Sequence, residues 1–268
     1  MALVVGGRSA PLRLASLFTA PVDAAESTPG SAPRVPPVCP FTRAHVSLNV
    51  ARRGEMKIAV VGARSDGGAH LVLDLVTDGA PYEIIAFLDD NPALWGTSVC
   101  GIRVLGSSAD ATRAVDAGAE GAVVFLGNPR DRERVGGLVL AAGLQLPVLI
   151  HPRAYVAPSA TLGRGTFVGA MATVSTGARV GQQVMVAPTA LVSHHVEVGD
   201  YTQLSPGCRL GGRSRVGLRA FLGLGVTIVS GRTVGDDAMV WAGAVVAADV
   251  AESGAVAGVP ARPIQPHS

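Results

Sequence analysis

The chain has 268 residues, enough for one large or two ordinary domains, with 48% apolar residues, 34 glycines and only 4% aromatic residues. Its formal net charge is +2, which gives no electrostatic footprint for nucleic acid or an anionic membrane. No run of about 18 apolar residues marks a membrane span, so neither a nucleic-acid partner nor membrane insertion is expected.

Residues 1–55 are rich in Ala, Pro, Ser and Arg, and the stretch STPGSAPRVPPVCP can form neither a helix nor a central strand. A disordered extension is expected there. The opening MALVVGGRSAPLRLASLFTAPVDAA has the length of a secretory signal, but Arg8, Pro11 and Arg13 interrupt its apolar part. A third reading starts the protein at Met56, where the first strand begins; the preceding RRGE is compatible with a purine-rich ribosome-binding stretch.

From residue 57 strands alternate with helices. KIAVVGA is a buried strand ending in glycine, AHLVLDLVTDGA an amphipathic helix, and YEIIAFLDDNP a second strand ending in paired acids. ADATRAVDAGA is a helix, EGAVVFLGNP a strand, RDRERVGGLVLAAGL a helix and PVLIH a last short strand. This order predicts a parallel α/β sheet over residues 56–150, a Rossmann-like half domain. Ligands of such sheets sit at the carboxyl ends of the strands, here GARSDGG, LDDN and LGN.

From Val156 to Ala251 the chain runs in sixteen uninterrupted hexads. Position one is always Val, Leu or Ile; position two is small except at Val229 and Trp241; position five is small or β-branched except at Arg232. Three hexads make one triangular coil with the position-one aliphatics stacked inward. Small residues fit its narrow interior and corners, and rings do not, which accounts for the aromatic-poor composition. Residues 151–268 are therefore expected to form a left-handed parallel β-helix, an exception to the right-handed crossover preference. Its ends need caps, which the α/β domain and ESGAVAGVPARPI can supply.

The repeat carries one histidine pair, His194 and His195, at positions three and four of their hexad, away from the core. A histidine there is a candidate general base, since an amine or hydroxyl must lose a proton as it attacks a thioester; the alternative is two solvated corner residues. His151 is read as structural and His70 as a solvated helical residue, while His45 and His267 fall in segments expected to be flexible. The cysteines, Cys39, Cys100 and Cys208, form neither a metal motif nor a disulfide framework, in keeping with a reducing, cytoplasmic location.

Residues 57–264 resemble the NeuD and PglD group of bacterial sugar acetyltransferases, through FLDDNPALWG, GIRVLG, LGNP, LIHP, HHVEVGDY, LSPGCRLGG and VAGVPARPI. The resemblance implies acetyl-CoA as acyl donor, no metal, an amino-sugar or sugar-nucleotide acceptor, and a homotrimer with active sites between chains. It implies His194 as base. His195 stands where the group has an acid, and Glu197 is the nearest substitute for that acid. A second histidine of the group, near the acyl-CoA, falls at Gln203, and backbone contacts to CoA fall at Leu224 and Ala242; Arg262 reads either as a contact to a CoA phosphate or as an exposed cation of the tail. The glycine loop GARSDGGAH is two residues longer than the group's pattern and lacks its histidine, with Gly68 in that place. Gly67, Gly68 and Ala69 are expected to let the backbone approach a phosphate, Asp89 and Asp90 to hold a ribose or base, and Gly127 to touch the substrate.

The leading reading is acetyl-CoA-dependent acetylation of an amino sugar, in nucleotide-linked form by the resemblance. O-acetylation of a sialic acid or related sugar is the alternative within the class. A zinc carbonic anhydrase of the same β-helix architecture needs three convergent histidines, which the repeat does not offer. A sugar-nucleotide-binding scaffold without turnover is favoured by the missing acid, Gln203 and the altered loop. If Met56 is the native start, N-terminal sequencing of protein from its source begins there; a sequence starting earlier refutes that reading.

Overall fold

The computed structural model describes residues 56–63 and 68–264; the extension expected over residues 1–55, Gly67 of the glycine loop and residues 265–268 lie outside the described part. β1 (Met56–Val61) leads through α1 (Gly68–Thr77) to β2 (Tyr82–Leu88), then through a hairpin of β3 (Ser98–Val99) and β4 (Ile102–Arg103) to α2 (Ala111–Asp116), β5 (Gly121–Val124) and α3 (Pro129–Ala141). The three long strands form a parallel sheet of order β2-β1-β5. Ile58 and Val60 pack with Ala69, Val72 and Leu75 of α1, while Ala59 and Val61 pack with Ala111 and Ala114 of α2 and Val135 and Val139 of α3. Both faces of β1 are thus covered, so the strand reads as one apolar run instead of an alternation.

PVLIH does not join this sheet. Leu149–Ile150 pairs with Phe167–Val168 and opens the solenoid. It lies one coil ahead of Phe167, so its register is set by the repeat.

The hexads form three parallel sheets, one per side of a prism. Face one carries Leu149–Ile150, Phe167–Val168, Met185–Val186, Gln203–Leu204, Phe221–Leu222 and Met239–Val240, and is closed by Ala255–Ala257 and Arg262–Pro263. Face two holds six strands from Tyr155–Val156 to Val245–Val246, and face three five, from Thr161–Leu162 to Thr233–Val234. Position-one residues such as Val168, Val174, Val186, Val192, Leu204, Leu222 and Val240 are fully buried and form one continuous core. Backbone N–H groups on a face reach carbonyls of a neighbouring coil, as Thr173 N does to Ala190 O at 2.9 Å. Of the pattern exceptions, Val229 and Trp241 project outward, and Arg232 reaches Asp249 at 3.6 Å.

The corners add a rule. Position four has a positive φ in fourteen consecutive hexads from Gly165 to Gly243, including Met171, Gln183, Thr189, His195, Tyr201, Arg213, Arg219 and Asp237 at φ from 49° to 63°. A non-glycine residue is uncommon in this region. Here the six-residue side length favours it, because the chain must turn a sharp corner within one residue.

The α/β domain docks on face one and on the corner between faces three and one. Phe125 meets Phe167 edge-on with centroids 5.0 Å apart, Tyr82 Oη donates to Val148 O at 2.9 Å, and His151 Nε2 lies 3.4 Å from Asp78. The centre of the seam is Arg132 of α3, fully buried. It donates to the carbonyls of Gln183 (3.2 Å), Leu126 (2.5 Å), Gly127 (3.2 Å) and Tyr201, and to Gln203 Oε1 (3.0 Å). Burial pulls its guanidinium down to about 10, still far above neutrality, so it is a buried cation at physiological pH. One turn on, the Gln183 side chain occupies the space where Gly136 lacks a Cβ.

Replacing Arg132 by Met strands buried carbonyl acceptors from both domains and is expected to cost about 3 kcal/mol or more. Denaturant unfolding measures this; Arg132→Lys, whose single ammonium cannot span the same acceptors, should fall between.

Candidate active site

His194 and His195 turn the corner between faces two and three, between the strands Leu191–Val192 and Glu197–Val198. Both are exposed. Their backbones are held by the coils on either side: His195 N donates to Thr176 O and Arg213 N to His194 O, each at 3.0 Å. Glycines make room for both rings. A Cβ on Gly212 would collide with the His194 imidazole, and one on Gly177 would lie 3.0 Å from Cδ2 and Nε2 of His195. The two Nδ1 atoms are 3.3 Å apart, with the rings nearly perpendicular at 78°. Glu197 does not supply the missing acid: Arg179 holds one of its carboxylate oxygens and Arg215 approaches the other at 3.3 Å. These three residues line an open groove of about 450 Å³ on face three, floored by Gly181, Gly199, Gly217 and Gly235.

The expected donor contacts separate within one chain. Leu224, 59% exposed, and Ala242 are successive rungs of the corner between faces one and two, linked by the 2.7 Å bond from Gly243 N to Leu224 O. Gln203 sits on face one, where its Oε1 takes a hydrogen bond from Arg132. Arg262 is exposed in the closing strand. Cys208 points into the core and burial pushes its thiol up to about 11, so it remains an unreactive thiol at neutral pH.

At the carboxyl edge of the α/β sheet, Gly68 and Ala69 open α1. Ala69 is fully buried, so only its backbone can face a ligand; Gly68 packs against Phe125. Gly62, at φ +109°, has no room for a Cβ beside Phe125 O, 2.8 Å away, and so sets the turn leading out of β1. The paired acids divide. Asp89 is buried, and its oxygens accept from Ala63 N at 2.7 Å and Asn91 N at 2.8 Å, tying the end of β1 to the end of β2. Asp90 is the exposed member. Partial desolvation acts to raise its carboxyl, but hydrogen bonds from Ser108 and Arg134 outweigh it and hold the group below its ordinary value.

Gly127 is exposed at the end of β5. It belongs to a groove of about 510 Å³ between the α3 entrance and face one, lined also by Arg130, Arg219, Phe221, Asp237 and Met239. Arg219 clasps Asp237 with two hydrogen bonds, at 2.9 and 2.7 Å, and also reaches Glu133. His70 faces Cys100 at 3.7 Å.

Gly127 and Gln203 are thus joined through one guanidinium, whereas the histidine corner is the prism edge opposite face one. Arg132 escaped the sequence reading. Its signal was an arginine in the apolar i, i+3, i+4, i+7 row of α3, with Val135, Gly136 and Val139. Among the described residues no three His, Cys, Asp or Glu side chains form a metal-binding group, and no helix is long and apolar enough to cross a membrane.

A hexapeptide β-helix docked to a Rossmann-like half domain is shared with solved sugar acetyltransferases, and the chain is an acyltransferase. The PglD N-terminal domain model matches residues 57–136. PerB from Caulobacter crescentus, solved with CoA and GDP-perosamine, is 31% identical at a TM-score of 0.73, the match covering 78% of this chain and 97% of that one. The acetyltransferase domain of PglB from Neisseria gonorrhoeae, solved with acetyl coenzyme A, is 33% identical at a TM-score of 0.70 over 79% of this chain and 100% of that one. WeeI from Acinetobacter baumannii is 25% identical at 0.69, over 78% and 100%. Comparison with curated protein sequences gives no match. The chain belongs to the PglD-type family of sugar acetyltransferases.

Gly212→Ala drives a methyl into the His194 ring without demanding a left-handed backbone. Gly212 is buried, but the ring its methyl would meet is exposed and can swing aside, so stability should fall by about 1–3 kcal/mol, as for overpacking at a tight site; with His194 taking part in the reaction, turnover should fall on the order of 10²-fold through misplacement of the imidazole. Thermal melting and acetyl-CoA consumption measure the two effects.

Proposed function

We propose that the protein transfers the acetyl group of acetyl-CoA to the amine of a nucleotide-linked amino sugar, with His194 as general base. The observation that carries this reading is the His194 ring, exposed at a solenoid corner and seated over Gly212. The CoA and GDP-perosamine bound by PerB support the choice of donor and acceptor.

In the step itself, the amine nitrogen attacks the thioester carbonyl and its proton passes to His194 Nε2. The tetrahedral intermediate collapses with cleavage of the C–S bond, and the proton goes on to the departing thiolate. The products are the amide and CoA as thiol. Backbone N–H groups at the corners are suited to the oxyanion.

The acceptor is assigned to the α/β edge formed by the Gly68 end of α1, Asp90 and Gly127. That edge belongs to a domain packed on face one, and the histidine corner lies opposite. A histidine of one chain therefore works on an acceptor held by another, which supports an oligomer with sites between copies, a trimer by the habit of the fold. Leu224 and Ala242 border the channel for CoA. We place the reaction in the cytoplasm, where acetyl-CoA is available and Cys100 and Cys208 stay as thiols.

His194→Ala should lower acetyl transfer to UDP- or GDP-linked amino sugars by about 10²-fold or more and leave acetyl-CoA affinity within about twofold. Thioester consumption and calorimetric binding measure these. Full turnover in the variant removes His194 as base; wild-type protein that binds acetyl-CoA and acetylates free sialic acid but no amine replaces the acceptor.

A further inference from the structure

We infer that His195 is a positioning residue: its Nδ1 accepts the Nδ1–H of His194 and thereby fixes the tautomer that leaves the His194 Nε2 lone pair open to the substrate. The inference rests on His194 being the base.

The geometry that carries it is the 3.3 Å contact between the two Nδ1 atoms. Two neutral imidazoles tolerate such a contact with one hydrogen between them. With none, two lone pairs oppose each other; with two, the hydrogens clash. A neutral imidazole carries one N–H, so the partners must be opposite tautomers. If His194 is protonated at Nδ1 its Nε2 is a bare acceptor, as a base requires, and His195 carries its hydrogen on Nε2.

Neither ring is placed by chance. His195 has φ +58°, and this left-handed turn brings its side chain beside that of its neighbour. Gly177 and Gly212 leave room for one ring each. Glu197, two residues on, is taken up by Arg179 and Arg215, so it does not replace the neighbouring imidazole as the acceptor. The proton taken up at Nε2 creates an imidazolium whose Nδ1–H remains bonded to His195. The same partner therefore orients the ring before and after transfer.

Two measurements test this. Nitrogen NMR of wild-type protein labelled in histidine, at alkaline pH where imidazoles are neutral, should show His194 with hydrogen on Nδ1 and His195 with hydrogen on Nε2. Both residues in the Nε2–H form overturn the inference, whether or not the protein turns over any acceptor. In kinetics, His195→Gly keeps a residue that favours the left-handed backbone, so folding is preserved and the ring alone is lost. kcat should fall about tenfold or more with KM within about twofold, and His195→Asn, whose Oδ1 accepts the same hydrogen, should recover most of the loss. A glycine variant with wild-type kcat, or an asparagine variant as impaired as glycine, overturns the inference. Failure of wild-type turnover with every acceptor instead refutes the assigned reaction, and the tautomer measurement still decides the role of His195.

Discussion

The solenoid depends on stacking two inward side chains per hexad inside a narrow prism, a position-one aliphatic and a small or β-branched position-five residue such as Ala172, Val184 or Val196. Val168, Val186, Leu204, Leu222 and Val240 lie one above another, fully buried, and each is worth about 1.5–3 kcal/mol in removal from water. To keep them in register the chain must turn after every second strand residue. That demand favours the left-handed region at position four coil after coil, even for Thr189 and Met171. The corners are therefore as fixed as the core, and a side chain mounted on one is held by the coils above and below. The histidine pair uses this rigidity: its exposed rings hang from a backbone bonded to Thr176 and Arg213.

The second constraint is the seam. A buried guanidinium without a carboxylate is costly unless it is well hydrogen-bonded, and Arg132 donates from Nε, Nη1 and Nη2 to five oxygens, two from the β5–α3 loop and three from the solenoid. One side chain thus fixes the exposed Gly127 loop relative to face one. The T-shaped pair of Phe125 and Phe167 and the Asp78–His151 contact extend the same docking. With the α/β domain locked on face one, its exposed strand edge and the histidine corner of one chain stay apart.

Asp89 and Asp90 show how tertiary context divides neighbours that look equivalent. The first is consumed in joining two strand ends; the second remains exposed, hydrogen-bonded to Ser108 and paired with Arg134. Gln203, which stands where the resemblance puts a second histidine of the group near the acyl-CoA, is likewise taken up by the seam. His151, read as structural, is buried against Asp78.

The sequence by itself determined the solenoid, its frame and the α/β sheet, because burial of a repeated aliphatic or of a two-sided strand leaves a periodic mark on composition. It also isolated His194 and His195, since no other hexad carries a histidine and neither position faces the core. Only the tertiary structure decided which strand Leu149–Ile150 joins, that position four is left-handed, that Glu197 belongs to two arginines, and that Arg132 closes the seam. Those outcomes depend on residues a coil or a domain apart, and distance in space along a prism edge leaves no period in the chain. The spacing of the two Nδ1 atoms is of the same kind: adjacency in sequence put the histidines side by side, but the corner dihedral and two glycines on other coils turned their rings toward each other.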